Sequence, residues 1–402
     1  MATEAALVEL RMEEAVEACR LGNPVPFIEG FLWVQDEETG LRVPMRRLEP
    51  QGYYHKETFG RLVGYYESLY AHVVKARSAY SSRWWHACNF AFRCCLPGFK
   101  SAITVDSERN LREFLVADDV FYDGLVEGLA PPKLHWDTEY RSFGFPGEGP
   151  SEVSFVSVRS KEFGRSGRPK MWIAAEAAHY DPVFYDALVQ SLGKSMPRYS
   201  WEIDESTPNG IGTEGKKNRF YERFEAMQRG ALPGVSLFRA WYDMRKYQVA
   251  EEERVGEDRG EFRLTEEEEK LARSFPADGV PIRARIAWRR EKLRKEVVDA
   301  YGDTQRAKGR FLSEYPENTT DCWYNQEAAG ALPMDRLRDL LNGCRATIEP
   351  PKVVIPGVRL LVWERPRPGG VYVAGHDPAD LGGDLNCLQV VDARTGLHVA
   401  EL

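Results

Sequence analysis

Three short segments at the ends of predicted strands hold the residues that could do chemistry. They are Lys75-Ala-Arg-Ser-Ala-Tyr-Ser-Ser-Arg83, Trp172-Ile-Ala-Ala-Glu176 and Glu205-Ser-Thr-Pro-Asn-Gly210. A basic loop that opens a helix can hold a phosphate, because helix N-terminal amides and the helix dipole favour an anion. A carboxylate at the end of a buried strand can polarise an attacking water molecule. Together the three segments predict a nucleotide-hydrolysing site.

The first segment departs from the usual phosphate-loop pattern, Gly-x-x-x-x-Gly-Lys-Ser/Thr. It contains no glycine, and Ser81 occupies the position of the lysine. Positive charge could instead come from Lys75, Arg77 or Arg83, while Ser82 could offer its hydroxyl to Mg²⁺. The alternative is an ordinary basic turn between a strand and a helix.

The second and third segments follow two strands that we expect to lie side by side. Glu176 closes an apolar run in the Walker B manner, although the aspartate that usually precedes it is Ala175. Alternatively, Glu176 caps the helix that follows. In the third segment, Ser206, Thr207 and Asn209 could sense a γ-phosphate from the neighbouring strand. Alternatively, it is a simple Pro-Asn-Gly turn.

The elements that would position these residues alternate between strand and helix from about residue 70 to 241. The strand candidates are Tyr70–Val74, Ser101–Val105, Val153–Val158, Met171–Ala175, Tyr199–Ile203 and Val235–Trp241. The helix candidates are Trp84–Leu96, Glu108–Val116, Val183–Leu192 and Glu214–Arg229. This alternation predicts an α/β fold with a largely parallel sheet that is covered on both faces.

The remaining segments suggest attachments to this sheet. An N-terminal helix, Ala5–Cys19, precedes a segment that starts at Asn23-Pro-Val-Pro-Phe27 and is predicted to be an extended β-hairpin that turns at Asp36–Gly40. Thr265 and Glu268 form a capping box that opens a charged helical region. A proline-rich linker then leads to two predicted strands, Val371–Ala374 and Leu388–Val391. The predicted regions are 1–50 (helix and hairpin), 51–247 (alternating strands and helices), 248–349 (charged helices) and 350–402 (linker and two strands).

Composition sets limits on the class of protein. The 402 residues carry a formal net charge of −8, which does not by itself suggest a nucleic-acid partner. The seven cysteines are scattered, which favours reduced thiols over zinc or disulfides. No apolar run is long enough to cross a bilayer, and the acidic N-terminus lacks signal-peptide character. We therefore expect a cytosolic protein.

These motifs, in this order, resemble those of phage large terminase subunits over nearly the whole chain. Gln51 is similar to the family's adenine-contacting glutamine, and Lys75-Ala-Arg77 is similar to the opening of its deviant Walker A loop. The segments that end at Glu176 and Gly210 resemble its Walker B and coupling motifs. The later matches are Glu266–Leu271, Ile286–Arg290, Glu314–Asp321 and Tyr372–Asp384.

The resemblance implies an ATP-driven motor that moves double-stranded phage DNA into a procapsid. The implied fold is a RecA-like (ASCE P-loop) ATPase domain, a helical linker subdomain and a partial RNase H-like nuclease hairpin. The implied cofactors are ATP and Mg²⁺. The implied partners are the DNA, a portal protein, a small terminase subunit and further copies in a ring. The chain would work in the host cytoplasm and transiently at the portal vertex, with no membrane contact.

The resemblance also assigns roles to individual residues. Glu176 would be catalytic, Ser82 would contact the Mg²⁺ of ATP, and Asp377 would be the first metal-binding aspartate of the nuclease. The nucleotide-binding residues would be Gln51, Lys75, Arg77, Ser81, Ser82 and Arg83. The coupling residues would be Ser206, Thr207 and Asn209.

Two expectations remain open at this point. The sequence ends at Leu402, after one predicted nuclease hairpin, so we expect no nuclease activity because the other carboxylates of a two-metal site are lacking. The rival function, raised by the glycine-free loop and Ala175, is a catalytically impaired DNA-binding or assembly subunit with no ATP turnover. ATP turnover stimulated by DNA would separate the two functions.

Overall fold

The computed structural model describes residues 4–36, 39–62, 67–126, 130–158, 169–195, 199–210, 212–213, 216–249, 262–323, 353–355, 360–377 and 387–401. The chain divides into two compact units, Met1–Glu327 and Ala328–Leu402. The finer division of the sequence into four regions remains a prediction.

The first unit begins with helices and a short hairpin. Helices α1 (Glu4–Arg20) and α2 (Val25–Phe31) precede strands β1 (Trp33–Gln35) and β2 (Arg42–Pro44), and helix α3 (Glu49–Glu57) follows. The hairpin turns at the predicted place, where Asp36 accepts hydrogen bonds from Thr39. The sequence predicted an extended segment from Asn23, but residues 25–31 form helix α2 instead. Pro24 and Pro26 stand at the start of this helix, where a helix tolerates proline because the first backbone amides have no partner within it.

The centre of this unit is an eight-stranded sheet with the order β12-β3-β9-β8-β4-β7-β6-β5. Its strands are β3 (Leu69–Lys75), β4 (Lys100–Val105), β5 (Lys133–Trp136), β6 (Tyr140–Phe145), β7 (Glu148–Ser157), β8 (Met171–Ala175), β9 (Trp201–Ser206) and β12 (Val235–Arg239). The strands from β12 to β7 pair in parallel, whereas β5 and β6 form an antiparallel extension. The predicted α/β class with a mainly parallel sheet is confirmed. The antiparallel β5–β6 hairpin was not predicted.

Helices cover both faces of the sheet, because successive strand residues point to opposite sides. The helices that follow α3 in this region are α4 (Ser81–Cys95), α5 (Glu108–Asp123), α6 (Pro182–Ser195) and α7 (Arg219–Gln228). On one face, Val73, Ile173 and Ile203 pack in a core with residues of α4 and α5. On the other, Val74 and Trp172 pack with residues of α6 and α7. The parallel strands are therefore buried on both sides.

The remaining elements of the first unit are one small hairpin and a group of helices, the helical region. Strands β10 (Gly212–Thr213) and β11 (Lys216–Lys217) form the hairpin, and the helices are α8 (Glu266–Ala272), α9 (Ile282–Asp299) and α10 (Thr304–Glu314). The predicted capping box at Thr265 and Glu268 is present. Three arginines of α9 pair with nearby carboxylates: Arg285 with Asp278, Arg289 with Glu317 and Arg290 with Glu268.

The second unit contains a five-stranded antiparallel sheet with the order β13-β14-β17-β16-β15. Its strands are β13 (Val353–Ile355), β14 (Leu360–Val362), β15 (Tyr372–Asp377), β16 (Cys387–Asp392) and β17 (His398–Glu401). The predicted hairpin is the β15–β16 pair. The sequence predicted that hairpin alone, whereas three more strands extend the sheet, two of them of only three residues with too little pattern to recognise.

Two composition-based expectations concern the described residues. None of the described helices combines the length and apolarity needed to cross a bilayer. The cysteines whose side chains the structure describes are free and buried: Cys19, Cys88, Cys94, Cys95 and Cys322.

Candidate active site

Three neighbouring strands bring the predicted chemical groups to one edge of the central sheet. Lys75 is the last residue of β3, Glu176 follows β8, and Ser206 is the last residue of β9. Strand β9 lies between β3 and β8 and pairs in parallel with both. Because all three strands run in the same direction, their carboxyl ends meet, which is where open α/β sheets bind ligands.

Lys75 forms ion pairs with two carboxylates. Its ammonium group lies 2.6 Å from Glu176 Oε1 and 3.4 Å from Glu205 Oε2. The Lys75 side chain is only 5% exposed. Burial alone would lower the pKa of Lys75, but the two carboxylates outweigh that effect and raise the pKa. Lys75 is therefore a fixed positive charge at this edge of the sheet.

Glu176 is held by groups from both neighbouring strands. Its Oε2 accepts hydrogen bonds from Ser206 Oγ at 3.2 Å, from Thr207 N at 3.2 Å and from Thr207 Oγ1 at 3.4 Å. Burial raises the pKa of Glu176, but Lys75, His179 and the backbone amide of Thr207 lower it by more, so the net pKa lies below its usual value. The carboxylate is ionised and oriented, as a group that positions an attacking water must be.

The backbone around these groups adopts an uncommon conformation. Ser78, Tyr80 and Glu176 have φ angles of 51°, 57° and 56°, in the left-handed region that glycine usually occupies. Two of these residues lie in the predicted phosphate loop, so this loop takes left-handed turns without a single glycine. Such conformations cost energy and concentrate at functional sites.

Helix α4 starts directly after this loop, earlier than the sequence predicted. Ser81 and Ser82 lie in its first turn, where backbone amides have no partner within the helix. Ser82 Oγ donates a hydrogen bond to Glu205 Oε1. Ser81 is buried, and its hydroxyl accepts a hydrogen bond from Trp85 Nε1 at 2.9 Å. Ser82 is thus linked to the carboxylates, whereas Ser81 is tied to the body of the helix.

A cavity of about 500 Å³ opens over the loop. Lys75, Arg77, Ser82, Arg83 and Glu176 all line it. Its opposite wall is the start of α5, with Asp106, Ser107, Arg109 and Asn110. The cavity has the basic side chains and the helix N-terminus that a phosphate chain requires.

A second cavity of about 400 Å³ lies beside the first, and Tyr80 and Arg83 line both. Its other walls come from the β1–β2 hairpin, from Lys246 and from Gln51. Gln51 is buried, and its amide nitrogen lies 3.4 Å from the carbonyl oxygen of Tyr80. The predicted adenine-contacting residue therefore lies next to the loop and lines a separate cavity.

Arg77 occupies a different position from Lys75, although both line the first cavity. Its guanidinium is exposed and lies 3.0 Å from Glu314 Oε2, at the end of α10. The backbone of the loop is also held from this side: Arg77 N donates to the carbonyl of Glu314, Tyr247 Oη donates to the carbonyl of Arg77, and Lys246 Nζ donates to the carbonyl of Ser78. The two alanines of the loop, Ala76 and Ala79, pack with Trp288 and Phe311 of the helical region.

The third segment continues this network away from the sheet. Asn209 Nδ2 donates to the carbonyl of Ala178 at 3.1 Å, just beyond Glu176. Asn218, which caps α7, donates to the carbonyl of Gly210 at 2.9 Å. The segment thus runs from the carboxylate at Glu176 to the start of α7. The short β10–β11 hairpin delays this helix relative to the predicted start at Glu214.

Phage large terminases are among the solved structures that this chain resembles. The ATPase domain of the Thermus phage P74-26 large terminase is 18% identical over 52% of this chain and 90% of that chain, with a TM-score of 0.38. The HK97 bacteriophage large terminase is 14% identical over 96% of this chain and 67% of that chain, with a TM-score of 0.48. The large terminase of a thermophilic bacteriophage, in complex with ADP, is 9% identical over 47% of this chain and 44% of that chain, with a TM-score of 0.32. No family model and no curated protein matches the chain.

The structure brings together all the predicted residues of the first unit, but it adds three that sequence reasoning did not assign. Glu205 was part of the quoted motif. Because it lies two residues after Ile203, it could have been placed on the same face of β9 as that residue. Glu314 opens the matched segment Glu314–Asp321, whereas Lys246 lies in no quoted motif. The sequence could place neither residue at the loop, because both reach it from distant segments. Asp377 lies at the end of β15 in the second unit, and its role remains a prediction.

Proposed function

We propose that the chain is the large subunit of a phage terminase, an ATPase that drives double-stranded DNA into a procapsid. One observation carries the proposal: Lys75, Glu176 and the Ser206–Thr207 pair meet beside a cavity that also contains a helix N-terminus. A buried cation, an oriented carboxylate and free amides are the groups that ATP hydrolysis needs. The sequence motifs in family order supply the link to DNA packaging.

In this proposal the two cavities hold the two ends of ATP. Gln51 and the β1–β2 hairpin contact the base, while Lys75, Arg77, Arg83 and the first turn of α4 contact the phosphates. Glu176 orients the attacking water. Ser206, Thr207 and Asn209 relay the state of the nucleotide from Glu176 toward α7. We assign the main phosphate-binding charge to Lys75 because Arg77 pairs with Glu314 outside the buried cluster.

Mg²⁺, which neutralises phosphate charge when it is bound with ATP, would be held by Ser82. No cluster of three or more metal-ligating side chains occurs in the part of the chain that the structure describes. A nucleotide-bound Mg²⁺ needs only one or two protein groups, because phosphates and water supply the rest of its coordination. The hydroxyl of Ser82, at the start of α4 and in contact with a buried carboxylate, is suitable for this role.

The partners in this proposal follow from packaging. They are double-stranded phage DNA, a portal protein, a small terminase subunit and further copies of this chain in a ring. The place of action is the host cytoplasm and, during packaging, the portal vertex of the procapsid.

The test is ATP turnover by the purified chain with and without double-stranded DNA. We expect hydrolysis that DNA stimulates. The rival function, an impaired DNA-binding or assembly subunit, predicts DNA binding with no turnover above that of the Glu176→Gln variant. A chain that neither binds nor hydrolyses ATP would contradict the proposed motor.

A further inference from the structure

Glu205 occupies the same face of the sheet as Ala175, the residue at which a Walker B aspartate would stand. The two residues are direct neighbours in the parallel β8–β9 register. Glu205 also pairs in register with Val73 of β3, so it lies between the loop strand and the strand of Glu176. A carboxylate at either of these positions would point toward the start of α4.

The contacts of Glu205 are those of a group that acts on the loop. Its Oε1 accepts the hydrogen bond of Ser82 Oγ, and its Oε2 lies 3.4 Å from Lys75 Nζ. The side chain is fully buried. Glu205 is therefore held between the hydroxyl of Ser82 and the ammonium group of Lys75.

From these contacts we infer that Glu205 takes over the task that the missing aspartate would perform. It is a positioning residue: it orients the Ser82 hydroxyl and adds negative charge behind it, where the nucleotide's divalent cation would bind. Outer-shell carboxylates commonly orient metal ligands in this way. The neighbouring residue Asp204 cannot do so, because it points to the opposite face, where it pairs with His72 and Arg223.

This inference rests on the proposed nucleotide site. It predicts that the carboxylate can function from either of two positions, 175 or 205. Because Ala175 and Glu205 are cross-strand neighbours on one face, an acid at position 175 should replace an acid at position 205. The sequence departs from the Walker B pattern, but the charge is retained on the adjacent strand.

The experiment measures Mn²⁺ affinity of the complex between the chain and a non-hydrolysable ATP analogue, from the electron paramagnetic resonance signal of free Mn²⁺. Analogue binding in EDTA is measured separately. We expect Glu205→Ala to weaken Mn²⁺ binding about 10- to 100-fold, with metal-free analogue affinity changed by less than about threefold. The double variant Ala175→Asp/Glu205→Ala should regain most of the Mn²⁺ affinity. Thermal unfolding checks that each variant is folded.

The outcomes separate this inference from the proposed function. If the unaltered chain does not bind the analogue, the nucleotide site itself is wrong. If it binds the analogue and Mn²⁺, but Glu205→Ala does so equally well, only the role of Glu205 is refuted. Loss of Mn²⁺ affinity that Glu205→Asp or Ala175→Asp fails to restore would show that Glu205 is merely structural.

Discussion

Arg77 Nη1 and Glu314 Oε2 lie 3.0 Å apart although the two residues are 237 positions apart in the chain. The pair joins the loop after β3 to the last residue of α10. Arg77 also lines the cavity in which we place the phosphates. A phosphate group in that cavity would compete with Glu314 for the guanidinium, because both are anions that arginine binds in the same way.

This competition predicts opposite effects for the two partners. Arg77→Ala should raise the Kd for ATP about tenfold or more, because it removes a phosphate-binding cation. Glu314→Ala should leave the Kd unchanged or lower it, because it releases Arg77. Both variants should change the free energy of unfolding by less than about 1 kcal/mol, since Arg77 is exposed and Glu314 is only half-buried. Titration with a fluorescent ATP analogue measures the affinities. Normal ATP binding by Arg77→Ala would show that the contact between Arg77 and Glu314 is purely structural.

Glu176→Gln tests the catalytic carboxylate. Glutamine preserves the shape and can still accept hydrogen bonds from Ser206 and Thr207, but it cannot carry the negative charge. We expect ATP turnover to fall about 100-fold or more, with ATP binding retained. Steady-state phosphate release provides the measurement, and Glu139→Gln, an exposed acid in the β5–β6 turn, is the matched control. Undiminished turnover in Glu176→Gln would remove this residue from the mechanism.

Lys75→Met tests the buried charge cluster. The substitution keeps an unbranched side chain but leaves Glu176 and Glu205 without their shared cation. Since removal of one partner from a buried ion pair is strongly destabilising, we expect a loss of about 3 kcal/mol in urea unfolding and no measurable ATP binding. Adding Glu205→Gln should recover part of the stability. Lys100→Met, at a lysine that is 45% exposed, should cost under about 1 kcal/mol.

Glu202 provides a pH-dependent prediction on the opposite face of β9. Burial, and then repulsion by Asp204, raises the pKa of Glu202 to about 7, although Arg223 opposes the shift. The folded chain therefore holds this proton more tightly than the unfolded chain. The resulting stabilisation is complete below about pH 4.5 and is lost as the pH rises to about 7.

Glu202→Gln should abolish this dependence while keeping an acceptor for Arg223. Relative to the unaltered chain, we expect the variant to gain about 1–3 kcal/mol of stability between pH 5 and pH 8. Urea unfolding at the two pH values gives the difference directly. If the free energy of unfolding of the variant differs from that of the unaltered chain by the same amount at both pH values, the pKa of Glu202 is not raised.

The sequence predicted the strands of the site well, for a physical reason. Strands β3 and β8 are buried on both faces, so they appear as nearly continuous apolar runs with sharp ends. Strand β9 instead carries three acidic residues, and it was recognised by the motif at its end. The expectation that the strands of the second and third segments lie side by side is also confirmed, since β8 pairs with β9. The sequence did not predict the register of that pair, and the pairing of Ala175 with Glu205 depends on the register. The role of Glu205 was therefore missed although its motif was recognised.

Other failures have local causes. Pro24 and Pro26 suggested an extended chain, but both stand at the start of α2, where a missing amide costs nothing. The loop without glycine suggested a poor phosphate site, yet Ser78 and Tyr80 adopt the left-handed conformation all the same. Hydrogen bonds from Lys246 and Tyr247 hold that backbone. No sequence pattern predicts contacts between residues so far apart in the chain.

This support means that the loop is not a transferable module. Lys246 and Tyr247 bind its carbonyls, and Glu314 binds its backbone and its arginine. Trp288 belongs to the same hydrophobic core as its alanines. Selection would then act on the loop and its supports as one unit, so that a change in either favours a compensating change in the other. A chimera that takes residues 75–83 alone from a related protein would have a loop without the residues that support it. A chimera that also takes positions 246, 247, 288 and 314 would have the loop together with its supporting residues.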